Sequence, residues 1–162
     1  MSLFMDTILG ESLLRQKREL NAVRLFIKIG NEPEINDLII RLNTEGETSS
    51  QLFELGIDSR GVELEDIGGN YSPVTIEIKL SKGQKVDNIT LRDTGKYYDS
   101  HKVFANSVGF IFDSDPIKDD TNLFDEWGPD ILGLFPPNLQ LVIIRMINKY
   151  IIETLNIIRG TS

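Results

Sequence analysis

The most sustained apolar pattern lies near the C-terminal end. There Leu139, Leu141, Val142, Ile143, Ile144, Met146, Ile147, Tyr150, Ile151, Ile152, Leu155, Ile157 and Ile158 recur with polar residues roughly every turn. Arg145, Lys149 and Asn156 fall on one side and Gly160 follows, so the pattern predicts a helix from Pro137 to Arg159. Its apolar positions cover more of the circumference than a single core-facing stripe needs. Part of that surface is therefore expected to be buried by another element or another subunit. The run from Leu139 to Ile158 approaches membrane-spanning length, but Gln140, Arg145, Asn148, Lys149, Glu153 and Asn156 break it, so no membrane anchor is expected.

At the other end, Ile8, Leu13, Leu14, Leu20, Val23 and Leu25 alternate with charges at helical spacing and predict an amphipathic helix over Thr7 to Leu25. Leu25 to Ile29 either extends it or forms a strand, and Gly30 to Pro33 breaks the chain near residue 31. Residues 1–32 read as a helical segment or arm, ahead of a core over 33–159 within a single domain of 1–162. Pro33 to Asp37 suits a brief turn, followed by a strand at Leu38 to Leu42, whose residues are β-compatible.

The middle of the chain is punctuated. Asn43 to Ser50 reads as a loop, Ser50 to Leu55 as one helical turn capped by Ser50, Gly56 to Gly61 as a turn, and Val62 to Asn70 as an exposed loop. Thr75 to Leu80 alternates with period two, which on pattern alone predicts a strand, although Ser72 and Pro73 could start a helix. Ser81 to Lys85 is a basic turn. His101 to Ser107 and Gly109 to Asp113 predict a hairpin whose apolar faces come from Phe104, Phe110 and Phe112, with His101 on an edge strand. Asp120 or Thr121 would cap a short helix over Asn122 to Trp127, stopped by Gly128-Pro129. The fold class expected is α+β: a small antiparallel sheet with a hairpin, packed helices and a long apolar C-terminal helix.

Composition adjusts this picture in a few places. The 162 residues are 40% hydrophobic and 26% charged, enough for one packed core, and no cysteine is present for disulfides, thiolate metal sites or thiol chemistry. A formal net charge of −8 disfavours capture of phosphate backbones. Met1 to Asp6 has no basic segment ahead of an apolar run, so no secretory signal is expected and the product is read as intracellular, made in the cytoplasm.

Candidate chemistry concentrates at Asp93-Thr94-Gly95. This triplet, with Ile131-Leu132-Gly133 downstream, resembles the active-site triplet and the apolar-apolar-glycine segment of retroviral-type aspartic proteases, in which a homodimer pairs two aspartates around a shared proton. Arg92 and the bulky Lys96-Tyr97-Tyr98 depart from that pattern, and neighbouring cations would keep Asp93 ionised. The alternative is structural: the Asp93 carboxylate caps a turn or helix beginning at Thr94, while Gly95 supplies tight backbone geometry. Asp113 to Asp120 has a calcium-loop flavour, but Ile117, Lys118 and Phe124 stand where ligands, glycine and the closing Glu belong, so it reads as a loop.

A longer series of motifs points elsewhere. Gln51-Leu52 with Gly56-Ile57-Asp58-Ser59-x-Gly61, then Tyr71-Ser72-x-x-Thr75-x-x-x-Lys79, then Thr90-Leu91-x-Asp93-Thr94-Gly95-x-Tyr97-x-x-Ser100 resembles the virion-morphogenesis, tail-completion and head-tail joining proteins of tailed bacteriophages. The likeness continues through the hairpin, Asp115-Pro116, Trp127-Gly128, Ile131-Leu132-Gly133-Leu134 and the terminal helix. It implies helices on a small antiparallel sheet, with Thr75 to Leu80 helical. It also implies a virion protein with no catalytic residue, cofactor or metal, which joins other copies of itself in a ring and contacts portal, neck or tail proteins while DNA passes through the channel. Tyr97, Tyr98, Phe104, Phe110, Trp127, Ile143, Ile147 and Ile151 are the candidate interface residues, and Asp93, Thr94 and Gly95 the structural motif.

Overall fold

A computed structural model describes residues 8–118 and 121–159. The expected helix start at Thr7, the cap at Asp120, the stop at Gly160 and the reading of Met1 to Asp6 lie outside these residues. Helix α1 spans Ile8–Gly30 and α2 Pro33–Asn43. A π-helical turn follows at Gln51–Leu55, then α3 at Leu64–Gly68, α4 at Pro73–Ser81 and α5 at Lys96–Asp99. Strand β1 (Lys102–Ala105) pairs antiparallel with β2 (Phe110–Asp113), and β3 (Ile117–Lys118) with β4 (Thr121–Asn122). The last elements are α6 (Leu123–Trp127), a 3-10 turn (Pro129–Ile131) and α7 (Pro136–Arg159). The α+β class with two small hairpins and a long apolar C-terminal helix is as expected.

Two apolar clusters form the core. In the first, Ile29 from α1, Ile35, Ile39 and Leu42 from α2, Val103 from β1 and Val142 and Met146 from α7 pack together. In the second, Leu52, Leu64, Ile89, Tyr97, Tyr98, Leu123, Trp127 and Ile131 do so. Between them runs the irregular segment Leu132 to Phe135, whose backbone groups need partners inside the protein. Buried amides supply them: Asn43 and Gln51 donate to the Gly133 carbonyl at 2.7 and 3.0 Å, and the Phe135 N–H donates to Gln51 at 2.6 Å. Asn138 Nδ2 donates to the carbonyls of Ser49 and Leu42 at 2.7 and 3.3 Å.

Of the two alternatives for Leu25 to Ile29, the helical one holds: the segment continues α1, and Ile29 is buried, so the last turn of the N-terminal segment belongs to the core. Other elements differ from expectation. Pro33 to Asn43 is one helix with no strand. Ile35, Ile39 and Leu42 recur at helical spacing and are buried, so packing of that stripe overrides the β-compatibility of Leu38 to Leu42. The Ser50 hydroxyl caps nothing and has no hydrogen-bond partner.

Val62 to Asn70 is not merely a loop: α3 buries Leu64, and Gly68 lies so close to Trp127 that a Cβ would approach its ring to 2.4 Å. Thr75 to Leu80 is helix, as the resemblance implied and against the strand its alternation alone suggests, with the Ser72 Oγ accepting from the Thr75 N–H. The cap of α6 is Asn122, which accepts from the Phe124 N–H at 2.9 Å, while Thr121 sits in β4. His101 precedes β1 and is buried against Tyr97 and Tyr98 instead of lying on an edge.

Candidate functional site

The motif residues read from the sequence assemble one loop system. Asp58 is fully buried and its Oδ1 accepts from the backbone N–H groups of Arg60 and Val62 at 2.8 and 2.9 Å. Its Oδ2 takes the Arg60 guanidinium, with Nη2 at 2.6 Å. The turn after the π-helix is thereby fixed, and Ser59 N–H donates to the Asp130 carbonyl to tie it to the 3-10 turn. Tyr71 accepts from the Thr90 N–H at 3.0 Å, and the Tyr98 hydroxyl donates to the Thr90 carbonyl. Leu91, with φ of 55°, is the non-glycine residue in the left-handed region among those described, and it delivers the chain into Asp93.

Asp93 does not cap α5. Its Oδ1 accepts from Lys82 Nζ at 2.8 Å and its Oδ2 lies 3.6 Å from Lys118 Nζ. The hydrogen bond from Lys82 is the largest influence holding its carboxyl below the usual range. The cations that do this come from the C-cap of α4 and from β3, whereas the adjacent Arg92 pairs with Glu45 at 2.7 Å. Thr94 Oγ1 accepts from the Lys96 N–H at 3.4 Å, and Gly95, with φ of 88°, is the N-cap of α5. Ile131 and Gly133 serve the second core cluster and the amide network, a different task from flanking a catalytic carboxylate.

The candidate interface residues divide into two groups. Tyr97, Tyr98 and Trp127 are buried in the chain's own core, and Phe110 is half-buried with its ring 5.9 Å from that of Phe26. These four are internal packing residues, a correction that follows from bulky rings having a core to fill. Phe104, Ile143, Ile147 and Ile151 are exposed.

On α7, Val142 and Met146 face inward and the same side carries three charged residues that reach the body. Arg145 pairs with Glu34, Lys149 with Glu32 and Glu34, and Glu153 with Lys28. The opposite side presents Ile144, Ile147, Ile151 and Leu155 at successive turns, each between 44% and 51% exposed, with Ile143 and Tyr150 alongside. The hairpin adds Phe104, directly across from Ile111, on its outer face. Val74, Ile78 and Leu80 of α4 are also exposed, and they are not among the interface residues expected from the sequence.

By length and composition the stretch Pro129–Asn156 would suffice to cross a membrane. Among the described residues no group of three or more His, Asp or Glu side chains is placed to hold a metal ion. No protein-family model, no curated protein and no solved structure matches this chain.

Proposed function

We propose that this protein is a non-enzymatic structural component of a tailed-phage virion, forming part of a ring or collar at the head-tail junction or in the tail. The observation that carries the reading is the outer face of α7. A soluble helix seldom leaves a continuous stripe such as Ile144, Ile147, Ile151 and Leu155 to water, and stripes of this kind mark contact surfaces. Charged residues on the other side anchor the helix to α1, to α2 and to Glu32 just before it, so the stripe is presented outward in one orientation. The same pairs favour a protein partner over a lipid one, because a bilayer would enclose those charges as well. The order of motifs from Gln51 to Ser100 supplies the phage assignment, by resemblance.

In this reading the mechanism is geometric. Copies related by rotation bury each other's α7 stripe and hairpin face, and a heterologous contact that closes makes a ring. The net charge of −8 suits a channel that DNA traverses without adhering. The competing reading, a dimeric aspartic protease, is disfavoured by Asp93 itself. A carboxylate held by two lysines resists the protonation that one member of a catalytic pair requires.

Replacing Ile147 and Ile151 together by Glu tests the proposal. The variant is expected to fold with wild-type circular dichroism yet to be missing from assembled particles. Incorporation at the wild-type level would remove the α7 face from the account. For the protease alternative, loss of a peptide-cleaving activity on Asp93→Asn would reverse the assignment.

A further inference from the structure

Helix α4 is inverted. It leaves Val74, Ile78 and Leu80 to solvent and turns Lys79 inward, where only 7% of that residue remains exposed. The ammonium donates to the Arg92 carbonyl at 2.9 Å and Thr90 Oγ1 at 3.5 Å and lies 4.9 Å from the centre of the Tyr71 ring. These partners are neutral, and no carboxylate among the described residues is within ion-pair distance. The ammonium thus has hydrogen-bond and ring contacts but no counter-ion among the described residues, and an anion placed beside it would supply one.

Beside Lys79 opens a cavity of about 500 Å³, within the range that holds small organic ligands. Its walls include the apolar surfaces of Trp127, Leu91 and Ile89, and Lys82 and Lys118 also line it. These two lysines share the single carboxylate of Asp93. Arg92 is already neutralised by Glu45, and the other acid on the described wall, Glu126, is exposed. In a chain of net charge −8 the described wall of this cavity therefore carries more basic than acidic groups, over an apolar floor.

We propose that the cavity is a binding site for a small organic carboxylate, its anionic group met by Lys79, Lys82 and Lys118 and its apolar body laid against Trp127 and Leu91. The site stands independently of the assembly role. Size and wall chemistry favour an acid with a hydrocarbon or aromatic body over a bare inorganic anion.

Trp127 is the chain's single tryptophan, so its fluorescence reports occupancy of the cavity directly. Full-length protein is titrated with 4-phenylbutyrate, with 4-phenylbutyramide as the neutral isostere and inorganic phosphate as an anion without the apolar body. A saturable change is expected with the acid at a dissociation constant of about 1 mM or tighter, and at least about tenfold weaker binding of the amide and of phosphate. Asp93→Asn releases both lysines from their shared partner and is expected to tighten binding of the acid about threefold.

Lys79→Met is expected to abolish the response while circular dichroism stays that of the wild type. Lys82→Ala leaves the Lys118–Asp93 pair in place and is expected to weaken binding about threefold, which keeps the test decisive should Lys79→Met unfold. No saturable change in wild type up to about 20 mM acid, far above the expected constant, overturns the proposal. So does an equal response to acid and amide, or a response that survives Lys79→Met in folded protein.

Discussion

His101 shows how one buried side chain sets a pH dependence. Its Nδ1–H donates to the Tyr97 carbonyl at 2.9 Å, its Nε2 is buried without a partner, and burial pushes the imidazole pKa below its ordinary value. Tyr97 and Tyr98 surround it, and burial raises both phenols, so they stay neutral in this range. The unfolded chain then binds the extra proton first. Stability is full above the unfolded value near 6.5 and falls as pH drops below it. Urea melts from pH 7 to 5 are expected to show this loss, and His101→Gln to flatten it; a wild-type midpoint independent of pH in that window would refute the assignment.

Gln51 makes a second test at the same scale, because Gln51→Leu strands the Phe135 N–H and removes one donor from the Gly133 carbonyl. A loss of about 1–3 kcal/mol is expected by denaturant unfolding. Little of this was readable in advance. The sequence led to the expectation that neighbouring Arg92 and Lys96 keep Asp93 ionised, but the cations that hold it are Lys82 and Lys118, which only the folded chain brings near. Trp127 and the Tyr97-Tyr98 pair illustrate the converse: large rings serve cores and interfaces alike, and composition cannot choose between them.

At the scale of elements, sustained periodicity was legible and short elements were not. The α7 helix follows from its pattern almost to the residue, and the hairpin from its alternating apolar positions. The α2 helix was misread because Leu38 to Leu42 is ambiguous in isolation; its identity is settled by Ile35, Ile39 and Leu42 all meeting the same cluster. With α3, one buried leucine in a glycine-rich segment gives no period to detect. That short helix nonetheless fixes Trp127. Gly68→Ala would drive a Cβ into the indole and is expected to cost about 1–3 kcal/mol, read as a lowered Tm with loss of the folded Trp127 emission. An unchanged Tm would show that α3 does not pack on α6 as described.

For the whole molecule, two features set expectations: an acidic surface and one face too apolar for water. With a net charge of −8, the protein is expected to leave duplex DNA unretarded in a gel at 150 mM salt, about physiological ionic strength. Retardation there would show that local basic stretches, such as Arg15, Lys17, Arg18 and Arg24 on α1, outweigh the net charge. The exposed side of α7 meanwhile carries Ile144, Ile147, Ile151 and Leu155, which the proposed assembly would cover with a neighbouring subunit. Quantitative mass spectrometry of particles purified from the source of this chain tests the central claim most directly, by counting copies relative to the portal and major capsid proteins. The structural reading expects a fixed, small, ring-like number of copies in every mature particle. Absence of the chain from mature particles would contradict it.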